Sequence, residues 1–223
     1  YSKNIEILKP FTSNTLKSVR NGLDVLIEDY PNILKDKKIG LVTNHTGITK
    51  NIENNYKVFQ MNPDIALEKI FAPEHGFFGE ASAGAKVNYK NKNFKEVEII
   101  SLYGRNRKPT KTMLKGLDLI IYDIQDIGSR FYTYISTLGM VIEAAAEQNI
   151  EIMILDRPNP ISGKIIEGAI VDTSFKSFVG YYPIPIRYGL TVGELTNMAI
   201  HEDWLSPVPK KVTIVKMDGW KRS

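Results

Sequence analysis

Five short, mostly apolar runs, at residues 39–42, 65–72, 97–102, 118–122 and 150–155, constrain this chain more than any other feature. The fourth, DLIIY, is too short for a buried helix and rich in isoleucine. Runs of this kind read as strands covered on both faces, the usual case in a parallel sheet. Helical stretches lie before and between them. Leu23, Leu26, Ile27, Tyr30 and Leu34 approach i, i+3, i+4 spacing, which predicts an amphipathic helix over 21–34, interrupted near Pro31. Further helices are expected over 52–61, over 110–115 with Gly116 closing it, and over about 131–148. Strand, loop and helix thus alternate from residue 39 to residue 155, the signature of an α/β fold with a parallel, doubly wound sheet.

Polar residues gather where these strands end. The loops read TNHTG, APEHGFFG, LYGR, DIQDIGSR and DRPNP. In an open α/β sheet, ligands bind outside the carboxyl ends of the strands. No loop carries G-x-G-x-x-G or a P-loop, so the dinucleotide and NTP fingerprints are absent. DIQDIGSR packs Asp123, Gln125, Asp126, Ser129 and Arg130 into eight residues, with Gly128 permitting a sharp turn. Two aspartates capping a helix and paired with Arg130 would be purely structural, yet this density of polar side chains exceeds what one cap needs. In APEHGFFG, Glu74 sits beside Phe71, Pro73, Phe77 and Phe78. Apolar surroundings disfavour the charged form of a carboxyl group and suit a general acid. His75 is placed to tune that charge or bind substrate. The structural alternative is a turn capped by Glu74, with His75 donating to a backbone carbonyl.

Asp123 and Asp126 are second carboxylates to go with Glu74. Glycoside hydrolysis commonly uses two carboxyl groups flanking the bond, and a sugar bearing a 2-acetamido group can supply its own nucleophile. Arg105, Arg130 and Arg157 each end or follow a strand. Their planar forks suit a carboxylate ligand, and suit equally a structural pairing with Asp123, Asp126 or Asp156. Phe131, Tyr132 and Tyr134 read mostly as core, with Tyr132 within reach of the cleft. A metal-dependent hydrolase would draw on His45, His75, Asp123 and Asp126, but no H-x-x-x-H or H-x-E spacing supports it. His201 reads as a helix C-terminal charge. No G-x-S-x-G supports a Ser-His-Asp triad.

The 223 residues, 43% hydrophobic and 24% charged, suit one large domain or one domain plus part of another. The net charge of +4 comes from scattered lysines such as Lys35, Lys37, Lys38, Lys86, Lys90, Lys92 and Lys95. No Arg/Lys run is interleaved with aromatic residues, which argues against a nucleic-acid partner. The chain has no cysteine, hence no disulfide and no thiolate metal site. No apolar run approaches the roughly 20 residues that span a bilayer. A first residue other than Met reads as a mature chain whose targeting segment has been removed. Residues 1–19 are polar with no clear period and read as an arm. Beyond Pro160 come short apolar pieces with prolines, then a capping box at Thr191 and Glu194 opening a helix to about residue 203, and a last strand over 212–217. Trp220, Lys221 and Arg222 read as the entry to something longer.

Five blocks stand in order: NHTG at 44–47, APEHGFFG at 72–79, YDIQDIGSRFYTYI at 122–135, DRPNP at 156–160 and PIPIRYGLTVGEL at 183–195. Together they resemble the bacterial exo-β-N-acetylmuramidases, a family long described only as a domain of unknown function. The resemblance covers nearly all of the chain from about residue 22. It implies a Rossmann-like N-terminal domain, a smaller C-terminal domain and an active site in the cleft between them. On that footing the chain divides into an N-terminal arm (1–20), a Rossmann-like catalytic domain (21–205) and the start of a truncated C-terminal domain (206–223). It also implies an exo-acting glycosidase that releases N-acetylmuramic acid from the non-reducing end of peptidoglycan fragments. Such a protein would work without metal or organic cofactor and be periplasmic or secreted. Glu74 takes the place of the suspected catalytic acid, with Asp123 as the second carboxylate. Gln125, Asp126, Arg130 and Tyr132 line the same site, and Asn44 and Arg157 fit the other rim loops; His75 and Arg105 join them on their own chemistry. Family chains continue well beyond MDGWKRS, so a missing C-terminal domain is expected to complete the cleft. A non-catalytic module that binds cell-wall sugars through the same rim is the remaining alternative.

Overall fold

The computed structural model describes residues 4–11, 18–74, 76–77 and 97–222, with only the backbone of Arg105. The excursion expected over 81–95 lies outside the described residues. Among those described, seven strands form one parallel sheet: β1 (Ile5–Leu8), β2 (Lys38–Thr43), β3 (Ala66–Ala72), β4 (Glu98–Ser101), β5 (Leu119–Asp123), β6 (Glu151–Leu155) and β7 (Val212–Val215). Their order is β1-β7-β6-β5-β2-β3-β4. From β2 the chain winds outward through β3 to β4, then returns to the other side of β2 and winds through β5 and β6 to β7. This is the doubly wound α/β architecture that the alternating runs predict.

Helices cover both faces, which is why the central strands carry no polar face. Along β5, Leu119 and Ile121 pack with α1 (Gly22–Asp29) and α2 (Asn55–Met61). Ile120 and Tyr122 pack on the other face with α4 (Tyr134–Glu147) and α5 (Val192–His201), beside the short α3 (Lys111–Leu114). Every residue of β5 is buried. Helix α1 stops at Asp29, earlier than its apolar spacing suggests, because Pro31 disfavours helical geometry at Tyr30 and has no N–H to continue the ladder. Its N-terminus abuts the end of β6 so closely that a Cβ on Gly22 would lie 2.3 Å from the Asp156 nitrogen.

Two expectations are corrected. Residues 5–8 are an edge strand of the sheet, not a free arm. The strand at 212–215 lies between β1 and β6 and so belongs to this sheet, not to the start of a separate domain. The two chain ends are tied further by Arg20 and Asp218. Their backbones exchange hydrogen bonds of 3.0 and 2.9 Å, and Arg20 forks onto Asp218, Glu28 and Asp29.

Candidate active site

The strand order reverses between β2 and β5, and the loops leaving these two strands diverge there. Such a switch point opens a crevice at the carboxyl ends of the strands. In the parallel register Thr43 stands beside Asp123, and the Thr43 hydroxyl donates to the Asp123 carbonyl at 2.8 Å. The switch therefore brings NHTG and DIQDIGSR together, and β6 adds DRPNP from the neighbouring position.

Beneath this rim lies a buried ion pair. Arg157 donates through Nε to Asp123 Oδ1 at 2.6 Å and through Nη2 to Oδ2 at 3.1 Å. Asn55 Nδ2 donates to the same Oδ2 at 2.7 Å, and Arg157 Nη2 also reaches the Ile48 carbonyl at 3.0 Å. Asp123 is 0% and Arg157 4% exposed. This is the structural pairing set, on the sequence alone, beside a catalytic Asp123 and a ligand-binding Arg157. Charges removed from water must be paired, and these two take each other. Their geometry locks three rim loops together and leaves neither carboxylate oxygen of Asp123 free.

Above the pair the polar side chains mostly position one another. Asn44 Oδ1 accepts from the Thr46 nitrogen at 2.9 Å and its hydroxyl at 2.6 Å, and Thr46 Oγ1 accepts from the Gln125 nitrogen at 3.0 Å. Gln125 Nε2 donates to the Asp126 and Pro158 carbonyls, each at 2.7 Å, stapling two loops. Asp126 Oδ2 accepts from the Gly128 nitrogen at 2.6 Å and from the Tyr188 hydroxyl, while its Oδ1 has no regular hydrogen bond among the described residues. Burial pushes this carboxyl above its ordinary range. Gly128 makes the turn at φ +80°, where a Cβ would lie 2.2 Å from Asn159 Oδ1. Arg130 Nη1 donates to the Ala169 and Ile184 carbonyls, both at 2.6 Å. It thus clamps the 161–188 segment onto the rim.

Glu74 differs from these carboxylates. Asp123, Asp126 and Asp156 are buried, whereas Glu74 is half-buried at the end of β3. Thr133 donates its hydroxyl to Glu74 Oε2. The Tyr134 hydroxyl lies in the same neighbourhood, within the influence of Glu74, Asp126, Tyr132 and Asn44, and burial pushes it up to about 12. Asn44 Nδ2 lies against that hydroxyl without a regular hydrogen bond. Tyr132 is 38% exposed and stacks edge-on against Tyr134, their centroids 5.2 Å apart. His75 and the Arg105 side chain lie outside the described residues. Among those described, no three His, Cys, Asp or Glu side chains come together as a metal would require.

Asp156 serves the scaffold. It accepts from the Gly193 nitrogen and the Thr191 hydroxyl, each at 2.9 Å, where α5 begins. Burial pushes it up to about 6. Thr133, Tyr134, Asn55 and Tyr188 were not singled out from the sequence as site residues. Tyr188 lies within the block PIPIRYGLTVGEL, and Thr133 and Tyr134 within YDIQDIGSRFYTYI, but Asn55 carries no signal beyond a polar position in a short helix.

Fold and rim together define a Rossmann-like α/β protein whose switch point presents one partly exposed glutamate among tyrosine, threonine and asparagine side chains. Residues 39–223 match the family model described as exo-beta-N-acetylmuramidase NamZ, N-terminal, and the chain belongs to that family. It is 44% identical over 221 residues to the peptidoglycan beta-N-acetylmuramidase NamZ of Bacillus subtilis (strain 168), covering 99% of this chain and 51% of the relative. Two crystal structures of DUF1343 family proteins from Bacteroides fragilis NCTC 9343 share the fold. One has a TM-score of 0.84 at 43% identity, the other 0.78 at 36%. Each match covers 92% of this chain, and 51% and 54% of the respective structures. The chain thus spans about half the length of the relatives it matches.

Proposed function

We propose that this chain is the Rossmann-like part of an exo-acting glycoside hydrolase that releases N-acetylmuramic acid from the non-reducing end of peptidoglycan fragments. The observation that carries this is Glu74: a half-buried carboxyl held by Thr133 at the rim beside the switch point, in a chain of the exo-muramidase family. Glu74 protonates the leaving glycosidic oxygen, the task of a general acid in this chemistry. Tyr132 meets the sugar, Asn44 and Asp126 shape the rim beneath it, and His75 and Arg105 are the remaining candidates for substrate contacts. Gln125, Arg130 and the Asp123–Arg157 pair hold the rim in shape. No metal or organic cofactor takes part.

In the full-length protein a smaller C-terminal domain completes the cleft over this rim, a reading supported by relatives about twice as long as the matched span. The enzyme acts outside the cytoplasm in cell-wall recycling, because its substrate is wall material. The test uses the full-length protein with a chromogenic β-N-acetylmuraminide and the matching β-N-acetylglucosaminide, with and without EDTA. Release from the muraminide alone, indifferent to EDTA, is expected. Release from neither sugar would overturn the assignment, and loss of activity with chelator would replace it by a metal-dependent hydrolase.

A further inference from the structure

Among the described residues three threonines stand at the N-cap position of α-helices, and one of them does not cap. Thr110 and Thr191 have extended backbones (ψ 160° and 166°), and their hydroxyls accept from the third helical nitrogen, Met113 and Glu194 respectively. That is the ordinary use of threonine at this position. Thr133, which begins α4, has φ −84° and ψ −4°, already helical, and its side chain makes no capping bond. Its hydroxyl goes instead to Glu74 Oε2.

The surrounding backbone makes this choice. The Gly128 turn feeds a tight segment in which the Arg130 nitrogen donates to the Ile186 carbonyl at 2.8 Å and the Tyr132 nitrogen to the Ser129 carbonyl at 3.0 Å. The Thr133 carbonyl takes the first helical bond, from the Thr137 nitrogen at 2.9 Å. From β5 below, the Tyr122 hydroxyl holds the Tyr134 carbonyl at 3.1 Å. Thr133 is thus fixed from both sides, is 9% exposed, and belongs to an element other than the one carrying Glu74.

We propose that Thr133 is a positioning residue for the reaction: its hydroxyl holds one oxygen of the Glu74 carboxyl so that the other is presented to the glycosidic oxygen. This rests on the reading of Glu74 as general acid. A hydroxyl that fixes a carboxyl in one orientation acts on turnover more than on binding, since the proton transfer it aligns occurs in the transition state.

The test compares Thr133→Val and Thr133→Ser in the full-length protein, each alone and combined with Glu74→Gln, on a natural muramyl disaccharide, whose leaving sugar must be protonated. Thr133→Val is expected to lower kcat about ten- to hundredfold with KM within about twofold, as loss of one hydrogen bond to a carboxyl that gains charge while giving up its proton allows. Thr133→Ser keeps the hydroxyl and should restore kcat to within about threefold of wild type. In the Glu74→Gln background Thr133→Val should cost almost nothing more, because the two act as a unit. The proposal is overturned if Thr133→Val keeps wild-type kcat, if serine fails to rescue, or if the valine effect is undiminished in the Glu74→Gln background. Full activity of Glu74→Gln alone would instead remove the general acid itself, and the positioning role with it.

Discussion

Replacing Asp123 by alanine should unfold much of this protein's margin of stability, not merely silence a site. In the structure Asp123 supplies both acceptors of the Arg157 fork, at 2.6 and 3.1 Å, and one for Asn55 at 2.7 Å. After the change Asn55 keeps the Thr43 hydroxyl, and Arg157 keeps only the Ile48 carbonyl. The guanidinium, 4% exposed, would then be a buried charge without a counter-ion. Removing one partner of such a pair costs about 3–5 kcal/mol. At this chain length each kcal/mol lowers the midpoint by about 2–4 °C, so Asp123→Ala should melt about 6–20 °C below wild type. Thermal and urea unfolding, followed by circular dichroism and by the fluorescence of Trp204 and Trp220, read this directly. Replacing both members, as Asp123→Leu with Arg157→Met, should recover much of the loss, since no buried charge is then left alone. A variant that melts within about 2 °C of wild type yet has lost all turnover would refute the reasoning and return Asp123 to the chemistry.

Asp156 gives a pH dependence of definite sign. Its pKa in the folded protein is about 6 against an ordinary 3.8, because burial outweighs the donors that favour its charge. The folded state therefore holds this proton more tightly. The stability it contributes is fully present below about pH 3.8 and is lost as pH rises through about 6, a total of about 3 kcal/mol. Urea unfolding of wild type and Asp156→Asn between about pH 4 and pH 7 should show their difference drifting by most of that amount against wild type, and a flat difference would contradict it. Gly116 and Gly128 both have positive φ, +85° and +80°, but only Gly128 faces an obstacle, Asn159 Oδ1 at 2.2 Å. Gly116→Ala should cost about 1–2 kcal/mol with turnover unchanged, whereas Gly128→Ala should cost more and reduce turnover; equal effects on stability and activity would count against the rim geometry.

Much of this fold is legible in the residues. The central strands stand out because a strand buried on both faces must be mostly apolar, as LIIY of β5 and IMIL of β6 are. β1 does not, because IEIL is a partly exposed edge strand with only Leu8 buried, and its polar flanks read as an arm. The place of β7 is hidden for a different reason: strand order is a long-range property, and nothing near residue 212 says that residues 5–8 will pair with it. At the site, the rim loops are legible as clusters of polar residues at strand ends. Which member of a cluster faces the cleft is not. Asp123 and Asp126 look alike in DIQD, but Asp123 meets an arginine from the loop after β6 and an asparagine from α2, while Asp126 meets a tyrosine 62 residues away. Thr133 escapes notice because the sequence places it inside a helix expected from about residue 131, and nothing local says that its hydroxyl will meet a glutamate 59 residues away.

The central claim is that Glu74 is the general acid, and leaving-group chemistry tests it most directly. The measurement is kcat/KM for Glu74→Gln and wild type in the full-length protein, on a natural muramyl disaccharide and on a nitrophenyl muraminide. A sugar alcohol must be protonated as it leaves, so the disaccharide should lose about 10²–10⁴-fold, while the nitrophenolate, which leaves unaided, should lose far less. An equal loss on both substrates, or none on either, would contradict a general acid at Glu74.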